Sequence, residues 1–316
     1  ATPTQTILGS EAGGQLGRAV GAAGDVNGDS YADMLIGAPG EDGFEIDSGR
    51  VRLLLGRSGG SGFTTIIIPG AEVSGALGRC VGTAGDVQHD GFSDIITGSS
   101  SIDLGASNAG AIFLYRGAAA ALDPTADWIV NGSSSTEGFA NDGAIVGDVN
   151  GDGYDDLAVG VTNKPHGANK GEVLIYLGSA TGPAILATQV LLPPPTSAPV
   201  VNYGAGVYRA SDLNADGYDD LVVNFFIDPG SSGWSMQVDV WFGSSTGLQF
   251  GERYENPTHE SFNLVGAGDL IDEDKVDFPS ASPLFSLSLL GGAVSIPLPA
   301  GTAESLTTAI DGVVID

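Results

Sequence analysis

Apolar residues in this chain come in short runs such as Val51 to Leu55, Ile66-Ile67-Ile68, Leu157-Ala158-Val159 and Leu221-Val222-Val223. Clusters of Gly, Asp, Asn and Ser separate them, so the runs predict buried strands joined by tight turns. The run at Leu157 ends at Gly160 and follows directly on the polar stretch Asp148 to Asp156, read Asp-Val-Asn-Gly-Asp-Gly-Tyr-Asp-Asp. That stretch predicts a hairpin loop between two strands.

The stretch recurs. First-position aspartates stand at Asp25, Asp86, Asp148, Asp212 and Asp269, at intervals of 61, 62, 64 and 57 residues. Such a period fits one four-stranded blade and is too long for a solenoid coil. Other features keep phase with it. Leu16, Leu77, Phe139 and Tyr203 stand upstream of the first four aspartates, and small residues such as Ala19 to Gly24 fill the gap. Downstream, strands are expected over Gly49 to Gly56, Gly110 to Gly117, Gly171 to Gly178 and Met236 to Gly243, and outer strands over Thr64 to Gly70 and Asp127 to Gly132. The expectation is one all-β domain over residues 1–316, a β-propeller of about five four-stranded blades centred on loops 25–33, 86–94, 148–156, 212–220 and 269–277. Thr4 to Gly9 occupies the phase of an outer strand and is expected to complete the last blade and close the ring; Ser305 to Asp316 competes for that place.

Each of the first four loops sets oxygen-bearing side chains at its first, third, fifth and ninth positions, with a backbone carbonyl at the seventh, which is a hard-cation pattern. The candidate ligands are Asp25, Asn27, Asp29, Tyr31 and Asp33; Asp86, Gln88, Asp90, Phe92 and Asp94; Asp148, Asn150, Asp152, Tyr154 and Asp156; and Asp212, Asn214, Asp216, Tyr218 and Asp220. The seventh-position residues Tyr31, Phe92, Tyr154 and Tyr218 offer their carbonyls. An EF-hand is excluded because Val159 stands where its bidentate Glu belongs. Asp, Asn and Gly are ordinary turn formers, but repeated clusters of carboxylates repel one another without a cation. An all-protein oxygen cage suits calcium better than magnesium, so about four calcium ions are expected. The fifth loop keeps Asp269 and Asp277 but has Ile271 at its third position and Asp274 in place of the turn glycine.

Phe139-Ala140 before a loop, the Asp-x-Asn-x-Asp-Gly-Tyr-x-Asp loop itself, and Gly37-Ala38-Pro39 after one resemble FG-GAP repeats, the calcium-loop blades of the integrin α-subunit β-propeller. The resemblance implies calcium on one face of a propeller. It also implies departures: integrin propellers have seven blades, whereas this chain has length for about five, so the ring is smaller, a fragment or an open form. Without the disulfides and extra domains of integrin α chains, the sequence looks more like a free-standing prokaryotic relative.

The formal net charge of -28 comes from 39 acidic against 11 basic residues, which disfavours nucleic acid and anionic membrane as partners. No stretch of apolar residues is long enough to insert in a membrane. Cys80 stands alone and is expected to be a buried, inert thiol. His89, His166 and His259 lie scattered in polar segments, with no triad or zinc spacing. Trp128 and Trp241 fall on expected strands and are expected to pack between blades, whereas Trp234, in a loop, is a candidate ligand platform. The function expected is an extracellular binding or adhesion module that meets a protein or glycan on a loop face, since cytosolic calcium is too low to fill such loops. A calcium-dependent lectin is the alternative. An enzyme ranks last, because no nucleophile and base are paired in the sequence; a non-catalytic part or relative of an FG-GAP enzyme is the form that reading takes.

Overall fold

Strands carry the fold; among the described residues there is no helix. The computed structural model describes residues 6–58, 63–82, 85–104, 106–119, 122–196, 198–228 and 235–255. The first unit contains β1 (Ala19–Gly24), β2 (Asp33–Ala38), β3 (Arg50–Leu55) and β4 (Thr64–Pro69), antiparallel in that order. The second repeats the order with β5 (Cys80–Val81), β6 (Ile95–Ser99), β7 (Ala111–Tyr115) and β8 (Trp128–Asn131). The third contains β9 (Phe139–Gly147), β10 (Asp156–His166), β11 (Asn169–Tyr176) and β12 (Gln189–Leu191). The fourth contains β13 (Val200–Ser211), β14 (Asp220–Ile227), β15 (Ser235–Phe242) and β16 (Gln249–Glu255). This repetition of antiparallel four-stranded sheets is β-propeller-like.

The cores lie between units rather than inside them. Leu35, Val51 and Leu53 of the first unit share a cluster with Ile95, Ala111 and Phe113 of the second. Ile96, Ile112 and Leu114 of the second pack with Ile145, Leu157 and Val159 of the third, and Ala158, Val173 and Ile175 of the third with Leu221, Val223 and Phe225 of the fourth. Strands such as β6 and β7 are therefore buried on both faces, which is why the sequence shows them as continuous apolar runs rather than alternating ones. Burying each such side chain stabilises the fold by roughly 1.5–3 kcal/mol.

Close backbone approach sets the spacing between units. Gly49, which precedes β3, forms a parallel bridge with Leu77 of the next unit, and Gly171 pairs in the same way with Tyr203. At the matching place, a Cβ on Gly110 would stand 2.6 Å from the Phe139 carbonyl oxygen. The residues phased upstream of the loops are thus the partners of glycines in the preceding unit. Any side chain at those glycines would push the units apart.

One expectation fails at the N-terminus. Thr4 and Gln5 lie outside the described residues, and Thr6 to Gly9 form no strand. The segment instead serves the buried Glu41: the Ser10 N–H donates to Glu41 Oε1 at 2.8 Å, and Arg52 donates both to that carboxylate and to the Leu8 carbonyl. A buried carboxylate needs donors, and supplying them diverts this segment from a sheet edge. The fifth loop, Trp234, His259 and the tail from Ser305 lie outside the described residues.

Candidate metal centre

In the four described loops the ninth-position aspartate stands where the loop turns into the second strand of its unit, and all four are buried, Asp33 at 4% exposure and Asp94, Asp156 and Asp220 at 0%. One oxygen of each accepts the N–H of the loop's second residue: Val26 at 2.9 Å, Val87 at 2.9 Å, Val149 at 3.0 Å and Leu213 at 2.7 Å. The other accepts the N–H of the glycine one or two residues past the third strand: Gly56 at 2.8 Å, Gly117 at 2.9 Å, Gly178 at 2.9 Å and Gly243 at 2.8 Å. Burial pushes Asp94, Asp156 and Asp220 up to about 7; the two amide bonds oppose it, and the carboxylates at the first and fifth positions reinforce it. Burial also raises Asp33. The carboxylates of one loop thus raise one another, though less than burial does.

The exposed part of each loop is folded by its own side chains. Asp148 accepts the N–H groups of Asp152 at 3.0 Å and Gly153 at 2.7 Å, and Asp25, Asp86 and Asp212 do the same in their loops. The fifth-position Asp29, Asp90, Asp152 and Asp216 accept the N–H of the seventh residue. Third-position amides turn their NH2 groups to the fifth-position carboxylate, as Asn27, Asn150 and Asn214 do at 2.9–3.0 Å. Gln88 spans two carboxylates, with Nε2 2.9 Å from Asp90 Oδ2 and 3.4 Å from Asp94 Oδ1. Its Oε1 is buried without a hydrogen-bond partner. Among the described residues no three His, Cys, Asp or Glu side chains converge as a ready ion cage.

The loops also touch one another, and the ligand spacing hides this. The aromatic ring of Phe92 covers Gly28 of the preceding loop, Tyr218 covers Gly151, and Tyr154 meets His89 edge-on with ring centroids 6.4 Å apart. Eighth-position side chains reach back to the first residue of the preceding loop: Ser93 to the Asp25 N–H, Asp155 to the Asp86 N–H and Asp219 to the Asp148 N–H, at 3.1, 2.8 and 2.9 Å. The backbone returns the bond each time, from Ser93, Asp155 and Asp219 N–H to the same residue's carbonyl. Arg209 lies between two of these aspartates, 2.9 Å from Asp219 Oδ2 and 3.7 Å from Asp155 Oδ2. The signal for this was a polar residue at the eighth position, broken by Ala32 in the first loop and Val276 in the fifth.

Other candidates resolve simply. Cys80 is buried, and burial first and Asp142 second push its thiol well above the usual range, so it stays protonated. Trp128 packs edge-on against Tyr176 of the next unit, and Trp241 donates to the Tyr203 hydroxyl within its own unit. His166 differs from expectation: it ends β10 rather than lying in a loop, and its Nε2 is 2.9 Å from Glu172 Oε2 on β11. The hairpin register brings the two side chains together.

The FG-GAP repeat family matches residues 16–54, and the FG-GAP-like repeat matches residues 148–223, spans that contain the first, third and fourth loops. The chain carries FG-GAP repeats. These FG-GAP repeats are similar to integrin α chains: integrin alpha-V of Gallus gallus is 33% identical over 43% of this chain and 14% of its own length. Integrin alpha-IIb of Mus musculus is 30% identical over 60% of this chain and 18% of its own, and integrin alpha-8 of Homo sapiens is 30% identical over 65% and 19%. The chain therefore matches less than a fifth of the length of these relatives. Among solved structures, a Bacillus licheniformis rhamnogalacturonan lyase PL11 aligns with a TM-score of 0.34 at 14% identity, over 72% of this chain and 43% of that one. No helix among the described residues is long and apolar enough to cross a membrane.

Proposed function

We infer that this FG-GAP chain is a calcium-binding, integrin-α-like β-propeller that works outside the cell as a binding or adhesion module. The observation that carries the reading is the second loop, where the buried Gln88 carbonyl oxygen lacks a partner while its NH2 group sits between Asp90 and Asp94. An amide is holding carboxylates that a cation would hold better, and turning it would supply a further oxygen ligand. The donor sets of the other described loops match it position for position. Asp25, Asn27, Asp29 and Asp33 would hold one ion, the corresponding residues of the other loops three more, and the charge of the ion would offset repulsion within each loop.

A closed ring belongs to the same reading. Met34 is 42% exposed, whereas its counterparts Ile95, Leu157 and Leu221 are buried against the preceding unit. A further blade over β1 and β2 would give Met34 the same cover. The partner is a protein or glycan on a loop face; integrin-like repeats support a binding role over catalysis, and a calcium-dependent lectin remains the second reading. Native mass spectrometry after calcium loading tests the ion count, with about four ions expected. An array of glycans and surface proteins, probed with calcium and with chelator, tests the binding role. A glycan hit that needs calcium favours the lectin, and an unloaded chain after dialysis against millimolar calcium contradicts the whole reading.

A further inference from the structure

We propose that the eighth-position side chains Ser93, Asp155 and Asp219 each tune the ion affinity of the loop before their own, so that the first three sites are coupled in sequence to the loops that follow them. The proposal rests on the calcium reading above. Asp148, the first candidate ligand of its loop, is fixed from outside that loop: Asp219 Oδ2 accepts its N–H at 2.9 Å, and its carbonyl accepts the Asp219 N–H at 3.0 Å. The Asp148 side chain is thus presented by backbone that the next unit clamps. Asp155 does the same for Asp86 at 2.8 Å and 3.2 Å, and Ser93 for Asp25 at 3.1 Å and 3.0 Å.

Asp155 and Asp219 belong by sequence to the third and fourth loops, yet each spends its carboxylate on a neighbour's backbone. Neither takes one of the alternating ligand places. They are positioning residues, as outer-shell partners of metal ligands generally are. Arg209 joins two clamps: it donates to Asp219 Oδ2 at 2.9 Å and lies 3.7 Å from Asp155 Oδ2. One side chain on β13 therefore steadies the clamps on both the second and third loops. The seventh-position rings follow the same direction, with Phe92 on Gly28 and Tyr218 on Gly151. Ordering one loop orders the face it offers to the loop before it.

Hydrogen exchange read by mass spectrometry, with calcium titrated into the full chain, resolves the loops as separate peptides. In Asp219→Ala the calcium concentration that protects residues 148–156 should rise about tenfold, while that for residues 212–220 stays as in wild type. Asp155→Ala should move the effect one loop back, to residues 86–94. Arg209→Gln should weaken both of those loops by a smaller factor. Ser93→Ala removes a single hydroxyl and repeats the test at residues 25–33, should the aspartate variants fail to fold. Loss of protection in the variant's own loop, or equal loss in every loop, overturns the proposal while leaving calcium binding intact. Absence of calcium-dependent protection in every wild-type loop overturns both.

Discussion

Asp156 and Gly178 meet across a hairpin: the buried carboxylate accepts the glycine N–H at 2.9 Å while its other oxygen holds Val149 N–H at 3.0 Å. One side chain thereby ties the start of a loop to the end of the third strand. Removing it leaves two amides without partners in a dry site, each worth about 1–3 kcal/mol. Asp156→Ala should lower stability by roughly 3 kcal/mol, read from the urea midpoint, and Asp156→Asn, which keeps one acceptor oxygen, by less. An unchanged midpoint in Asp156→Ala would remove the clasp from the account.

A second test concerns the fourth unit. Arg253 donates to both oxygens of Asp239, at 2.6 and 2.8 Å, and its guanidinium lies 4.8 Å from the centre of the Phe225 ring. Tyr203 adds its hydroxyl to the same carboxylate at 3.1 Å. Burial raises Asp239, and Arg253 opposes that shift. Arg253→Ala strands a buried charge and should cost about 3–5 kcal/mol in chemical denaturation. Adding Asp239→Asn to that variant should recover part of the loss.

Stability should also depend on pH through Asp142. Burial pushes this residue up to about 6, against two backbone N–H bonds, one of them from Val207 at 3.0 Å. Its neighbours Cys80 and Tyr208 are both raised by burial and stay neutral in this range. A carboxyl whose folded value is raised favours the folded state fully below its unfolded value near 3.8 and loses that contribution as pH rises through about 6. The slope approaches about 1.4 kcal/mol per pH unit at most. Thermal melts of wild type against Asp142→Asn between those two values should differ in slope, and parallel curves would contradict the assignment.

Ring closure makes its own prediction at Met34. Beneath a further blade, Met34→Lys would bury a charge and cost about 2 kcal/mol or more; facing water it would cost within about 0.5 kcal/mol. Denaturation of the full chain decides between a covered and an open face.

Much of this was legible in the sequence because strands buried on both faces appear as unbroken apolar runs, as at Ile95-Ile96 and Leu157 to Val159, and because turn residues mark their ends. The upstream phase of Leu77, Phe139 and Tyr203 was visible too, though not its cause: each meets a glycine of the preceding unit. The clamp from Asp219 to Asp148 escaped because its partners stand 71 residues apart and the pattern lapses at Ala32. The ninth-position aspartates were read only as ligands, whereas in the four described loops their two oxygens hold backbone amides of two segments. The N-terminal segment was misread because the donor demand of the buried Glu41 depends on tertiary burial, which strand phase does not encode.

The most direct test of the central claim is a pair of thermal melts, one with about 10 mM calcium and one with chelator. An ion that binds only the folded chain adds roughly 2.7 kcal/mol per site at a hundredfold excess over its dissociation constant. The calcium sample should therefore melt many degrees higher. Coincident melts would contradict calcium-stabilised loops and with them the function proposed here.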